Sequence, residues 1–353
     1  MKFVTLYRSM SQSLVVRTGS LIVSVLFIVV AILLAGASPL EVATAMWNGA
    51  FGTPNQFARL LATLAPLLLC ACGLVFTFAT GLYNLGIEGQ IIAGAIATTF
   101  ILRLTQEILP APLVILLGLG AGIAGGLIWG LLIGFLNVYA KVNEIFAGLG
   151  LNFVAQGLAL YLIFGPWKRP GVASMSGTEL FNRNLWLPNF GNTEASPIAL
   201  LLAVVGLVVT LSVMRGTYFG LQLQAVGRNL RASYIQGIPA IEYLMSSFAL
   251  CGIFAGLAGA LQVLAVFHRL IPNISSNLGF LALLVVMLVN FNPLGLLPVA
   301  FFFSALNIGS LQLPLSLQLE SSLAGVIQGT LVLFALLGQS LSDRLPKTTP
   351  GRI

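Results

Sequence analysis

The chain has 353 residues, 58% of them hydrophobic and only 7% charged, with a mean hydropathy of +1.02. Soluble domains carry about a quarter of their residues as charges, and no soluble fold of this length could hide so much apolar surface. A soluble protein is excluded, and the expected fold class is all-α: one polytopic transmembrane helical bundle over residues 1–353. The net charge of +7 comes from scattered Lys and Arg rather than a basic patch, which argues for membrane lipid and against nucleic acid as a partner.

Lys2, Arg8 and Arg17 precede the apolar run Leu21–Leu34, which reads as an uncleaved first span. Measured against the roughly 20 apolar residues that a crossing needs, spans are expected near 20–37, 60–80, 89–104, 112–138, 145–164, 197–214, 242–266, 278–290, 295–311 and 321–340. That makes about ten. Residues 38–58, with Trp47 and Phe51, read as an interfacial helix. Of the 16 Lys and Arg, ten fall on the side that holds both ends. Three of the other six fall in the single loop 165–196. The bias predicts both termini in the cytoplasm.

The stretch "ATGLYNLGIEGQIIAGA" places Glu88 between Gly86 and Gly89 at the start of the third span, with Asn84 before it and Gln90 after. An ionisable group at membrane depth usually faces a bundle interior or a water-filled path. Gly81, Gly86 and Gly89 weaken regular helix around it and free backbone groups that need partners. Two roles stay open for Glu88: part of a broken-helix element beside a translocation path, or the cap of a helix N-terminus.

In the fourth span Gly118, Gly122, Gly126, Gly130 and Gly134 recur every fourth residue, a ridge that lets a neighbouring backbone come close. Gly252 and Gly256, with Ala255 and Gly259 beside them, form a shorter ridge in the seventh. Cys70, Cys72 and Cys251 lie in apolar runs and read as small core residues. The loop 165–196, rich in Gly, Pro, Asn and Ser, is expected outside.

The segment 215–240, "RGTYFGLQLQAVGRNLRASYIQGIPA", is the longest expected cytoplasmic connection. Gly227 and Asn229 can open a short helix over Leu230–Gln236, and Gly237 can close it. Leu230, Tyr234 and Ile238 recur at four-residue steps, with Arg228 and Arg231 alongside. A structured helix in such a loop is what a peripheral partner would grip. His268, the one histidine, is expected in an external loop as an ordinary solvated residue. No catalytic constellation, metal-ligand cluster or GxxxxGK[ST] phosphate cradle is present in the sequence.

On these residues the chain resembles the permease subunits of bacterial ABC importers, in the branch that serves nucleosides and simple sugars and works with basic-membrane-protein-type lipoproteins. The matching stretches are "GLYNLGIEGQ" at 81–90, "KVNEIFAGLGLN" at 141–152, "GLQLQAVGRNLRA" at 220–232, "NPLG" at 292–295 and "GVIQGTLVLF" at 325–334. The resemblance implies a type II importer fold, similar to ribose-type permeases, in the bacterial inner membrane. It implies ABC ATPase subunits that carry the ATP and Mg, a second and different permease, and an external substrate-binding lipoprotein. This chain itself would bind no cofactor. Carried over, Asn84, Gly86, Glu88, Gly89 and Gln90 would lie at the translocation path. Gly227, Arg228, Asn229, Arg231, Ala232 and Gly237 would belong to the ATPase-coupling segment. The family usually reads Gly-Glu-Asn-Pro where this chain has Gly227, Arg228, Asn229 and Leu230, which reverses a charge and removes a proline. Nucleosides are the first expectation for the solute and simple sugars the second. An ion-coupled secondary transporter is the rival class, and it usually needs more intramembrane acids than Glu88 and Glu144 supply.

Overall fold

The computed structural model describes residues 2–169, 171, 176–191, 193–320 and 322–344. In chain order the helices are α1 (Lys2–Leu34), α2 (Pro39–Phe51), α3 (Pro54–Ala79), α4 (Ile87–Thr105), α5 (Ala111–Val138), α6 (Glu144–Phe164) and α7 (Pro197–Gly216). They continue as α8 (Tyr218–Arg228), α9 (Leu230–Ile235), α10 (Ala240–Leu261), α11 (Leu278–Leu288), α12 (Leu296–Ser310), α13 (Leu313–Leu317) and α14 (Leu323–Arg344). A π-helix, Gln262–Phe267, extends α10, and among the described residues there is no strand. Local chemistry sets several starts. Pro39 and Pro197 occupy first helical positions, where a missing N–H costs nothing. Asn143 caps α6 by accepting from the Ile145 amide at 3.0 Å.

Among the described residues eight helices are long and apolar enough to cross a membrane, or nine if Thr18–Leu34 and Pro39–Phe51, bent by 98°, form one broken span. The expectation of about ten is one or two more than these described helices supply. The expected eighth span, 278–290, is the 11-residue helix α11, which rises only about 16 Å.

The chain divides into two compact units. In the unit made by residues 1–56 and 305–353, α1 packs along α14, with the Phe27 and Phe334 rings 6.0 Å apart. Ile32, Val42, Met46, Leu313 and Ile327 form its buried cluster.

The second unit, Phe57–Ser304, is built on α3, α4, α5 and α10. α3 and α10 are buried almost all round, while α5, α6 and α7 show large apolar side chains such as Ile128, Phe153 and Leu201 on their outer faces. That exposure suits a lipid solvent. α5 packs against both α4 and α10 through its glycine ridge. A Cβ added at Gly126 would stand 2.5 Å from the Gly256 Cα; one at Gly130, 2.5 Å from the Phe248 carbonyl oxygen. At Gly122 it would meet the Thr98 Oγ1 at 2.6 Å, and at Gly134 the Met245 Sδ at 3.1 Å; at Gly118 it would strike Leu102. From α4, a Cβ at Gly94 would lie 2.6 Å from the same Gly256 Cα. Three backbones thus converge where no side chain fits, which is how helices associate without a hydrophobic drive between them.

Gly126→Leu is therefore expected to cost at least about 1–3 kcal/mol through overpacking, seen as a lower melting temperature of the detergent-solubilised chain. The same change at Gly120, which has nothing within 4 Å of its Cβ position, is expected to leave the melt unchanged.

Candidate functional site

Between α3 and α4 the helical path breaks over residues 80–86, with Gly81 and Tyr83 exposed and Thr80, Asn84 and Gly86 buried against the second unit. The Thr80 hydroxyl donates to the Thr77 carbonyl at 2.7 Å and lies 3.3 Å from the Ser247 hydroxyl. The Asn84 amide donates to the Cys251 sulfur at 3.1 Å. Ser247 and Cys251 sit roughly two and three turns into α10, so α4 starts at depth. Gly81, at φ +78°, makes the turn out of α3.

Glu88 lies in the first turn of α4 and is buried. Its Oε1 accepts the Phe280 amide at 3.1 Å, and Ser275 and Gly279 lie beside the same carboxylate. Gly279 and Phe280 belong to the first turn of α11, whose own N-cap residue Asn277 makes no side-chain cap bond. Glu88 is thus the cap of α11, contributed from 192 residues away along the chain. Amides at a helix start favour negative charge, and they are this carboxylate's partners; no Lys or Arg pairs with it among the described residues. Access is tight: a Cβ at Gly279 would stand 2.8 Å from the Ile87 Cγ2 and 3.1 Å from the Glu88 Oε1. Ser276 and Asn277 precede the helix at φ +50° and +58°, a left-handed pair that turns the amides inward.

α6 holds the other side. The Asn152 Oδ1 accepts the Gly89 amide at 2.7 Å, and its Nδ2 donates to the Leu85 carbonyl at 2.8 Å, so one side chain satisfies both lips of the break. One turn on, Gln156 donates to the Pro272 carbonyl in the segment that leads to α11. Sequence reasoning quoted Asn152 only as the end of a motif and passed over Gln156. The available signal was two amides at i and i+4 on an otherwise apolar helix.

Gly86 and Gly89 serve contact as well as bending. A Cβ at Gly86 would stand 2.8 Å from the Gly148 Cα, and one at Gly89 would stand 2.8 Å from the Trp129 Nε1. Gln90 is fully buried with neither amide atom bonded, and the Asn84 Oδ1 and Trp129 Nε1 are also without partners. Unspent polar capacity therefore concentrates beside the break.

The segment 215–240 forms two helices. The one expected over Leu230–Gln236 runs Leu230–Ile235, opened by the Asn229 side chain, which accepts the Ala232 amide at 3.0 Å. Gly237, at φ +78°, closes it, and its amide bonds the Tyr234 carbonyl at 3.0 Å. Arg228 and Arg231 are exposed, as are Leu230, Tyr234 and Ile235, whereas Ile238 is half-buried. α8 was not anticipated. Thr217 caps it, Gln224 donates to the Met214 carbonyl at 3.0 Å, and Gln222 accepts from the Tyr243 hydroxyl of α10. Gly227 lies against Ala79 and Thr80, where a Cβ would be 2.9 Å from backbone carbon. α8 therefore ties α9 to the ends of α3, α7 and α10.

His268 departs from its expected solvated state. Its ring stacks on Trp186 at 3.8 Å and 4°, and burial lowers its pKa from the ordinary value. The described part of the loop 165–196 folds over it: the amides of Thr178, Phe181 and Leu187 bond the carbonyls of Leu270, His268 and Leu264. Among the described residues no three His, Cys, Asp or Glu are grouped to hold a metal.

The family model described as branched-chain amino acid transport system / permease component matches residues 56–336. The guanosine ABC transporter permease protein of Bacillus subtilis is 26% identical over 307 residues, covering 86% of this chain and 87% of that protein. The nucleoside ABC transporter permease protein of Lactococcus lactis is 26% identical, covering 75% of each. The glucose ABC transporter permease protein of Haloferax volcanii is 26% identical, covering 87% of this chain and 83% of that protein.

Removing the Glu88 cap orphans buried amides, so Glu88→Ala is expected to lose about 1–3 kcal/mol of stability. Glu88→Gln should lose less, because its amide oxygen still accepts. Thermal melts in detergent read both; an Ala variant melting with the wild type would remove the capping role.

Proposed function

The chain belongs to the family of permease components of the branched-chain amino acid transport system type, and from that premise we propose that it is the membrane-spanning subunit of an ATP-driven importer of nucleosides. The likeness to guanosine and nucleoside permeases over most of both chains carries this reading. The glucose permease relative supports simple sugars as the second one. ATP and Mg sit on separate ATPase subunits in this reading, and an external binding lipoprotein delivers the solute. A second permease completes the pathway. The chain lies in the bacterial cytoplasmic membrane with both termini inside.

The break at Asn84–Gln90 lines or braces the path. The unbonded amides of Asn84 and Gln90 offer donors and acceptors to a passing polar solute once the bundle opens, and Glu88 keeps α11 attached while it does. The exposed face of α9, with Leu230, Tyr234 and Ile235, is the ATPase contact. Motion passes through α8 because α8 is fixed to three helix ends. Binding-protein docking outside and ATP-driven closure of the ATPases inside then shift the population between outward- and inward-open states by differential contacts in each.

The test is uptake of radiolabelled guanosine by membranes carrying the complete transporter. ATP-dependent uptake is expected, and a glycine run replacing Asn229–Ala232 should abolish it while membrane insertion stays intact. Uptake that follows an ion gradient without ATP, or that survives the glycine run, contradicts the reading; uptake of glucose instead of guanosine moves it to the second.

A further inference from the structure

We infer that the pocket between the ends of α3, α7 and α8 and the turn after α11 binds a phosphorylated ring compound, of the nucleoside monophosphate class. The cavity measures about 500 Å³, within the range of small-molecule sites. Arg215 and Arg228 line it. Neither pairs with a carboxylate among the described residues, where the one ion pair is Arg59–Glu194. Arg215 is held by a single bond from its Nη2 to the Asn292 Oδ1 at 2.8 Å, which leaves most of its donors free. Two arginines line one cavity with no anion paired to either among the described residues, and a planar guanidinium fork matches a phosphate group.

The lining is also aromatic. Phe78 and Phe291 line the pocket with ring centroids 4.9 Å apart and planes 21° apart. Asn290 and Phe291 stand at φ +51° and +61°. Asn tolerates that left-handed region, but a bulky aromatic side chain rarely takes it, and backbone held there gathers at ligand clamps. Gln224 and Asn290, also at the wall, supply the amides that read polar edges of a ring. A bare oxyanion would use the arginines and leave this wall idle. In the proposed orientation the pocket faces the cytoplasm, where kinases convert an imported nucleoside into this class of compound, so the site would report on accumulated product. The pocket's chemistry does not depend on which solute is carried.

The test is equilibrium binding of radiolabelled guanosine 5′-monophosphate to the full chain in nanodiscs, without ATPase subunits, so no transport is needed. Saturable binding is expected, weakened about tenfold or more by Arg228→Gln, as loss of one charge-assisted contact predicts. Among the described residues the Arg228 side chain has no hydrogen-bond or carboxylate partner to lose, so this variant is expected to keep its fold; Arg215→Gln should weaken binding similarly. Guanosine and inorganic phosphate should each fail to compete at equal concentration, and the result should be the same in nanodiscs with and without phosphatidylglycerol. Absent binding, binding indifferent to Arg228→Gln, or displacement by phosphate or by the anionic lipid headgroup overturns the proposal.

Discussion

Inside a bilayer each backbone N–H and C=O must find a partner within the protein, and the second unit of this chain depends on how it meets that demand at two breaks. One lies between α3 and α4, the other between the end of the π-helix and α11. Each leaves amides or carbonyls free at depth. Glu88 takes the first amides of α11, Asn152 takes both lips of the first break, and Gln156 takes a carbonyl of the second. Three polar side chains thus give partners to the Phe280 and Gly89 amides and the Leu85 and Pro272 carbonyls, groups that would cost several kcal/mol each if left open in hydrocarbon.

Those bonds require close approach, and the glycines supply it. α4, α5 and α10 meet at Gly94, Gly126 and Gly256 with no room for a side chain, and this brings Asn84 to Cys251 and Thr80 to Ser247. Gly86 against Gly148 does the same for α6. The glycine-packed helices form the fixed part. α11, short and capped from another helix, is also packed through Leu281, Ala282, Val285 and Val286, all buried.

The sequence was legible where structure is local. The five-glycine ridge of α5 reads directly from spacing, and the structure sets it against α4 and α10. The cap and stop of α9 also came from residue chemistry, because Asn229 and Gly237 act within a few positions. The break at 81–89 was visible in its glycines. α8 was not, since its apolar face is brief and its stability comes from contacts with α3, α7 and α10. The length of α11 was missed for a related reason. A 13-residue stretch, 278–290, apolar up to its final Asn290, looks like a short span until its N-terminus is known to have a partner, and that partner is 192 residues distant. Glu88 therefore stood out as an anomaly whose two readings could not be separated by sequence. His268 misled for the same reason: Trp186 comes from a loop whose fold over Leu264–Leu270 no periodicity announces.

Hydrogen–deuterium exchange across residues 273–290 of the intact chain in nanodiscs, wild type against Glu88→Ala, tests the central claim most directly. The account predicts that the amides at 278–281 are protected in the wild type and exchange faster in the variant, while those of α5 and α10 do not change. Equal exchange at 278–281 in both proteins would show that the carboxylate does not hold α11.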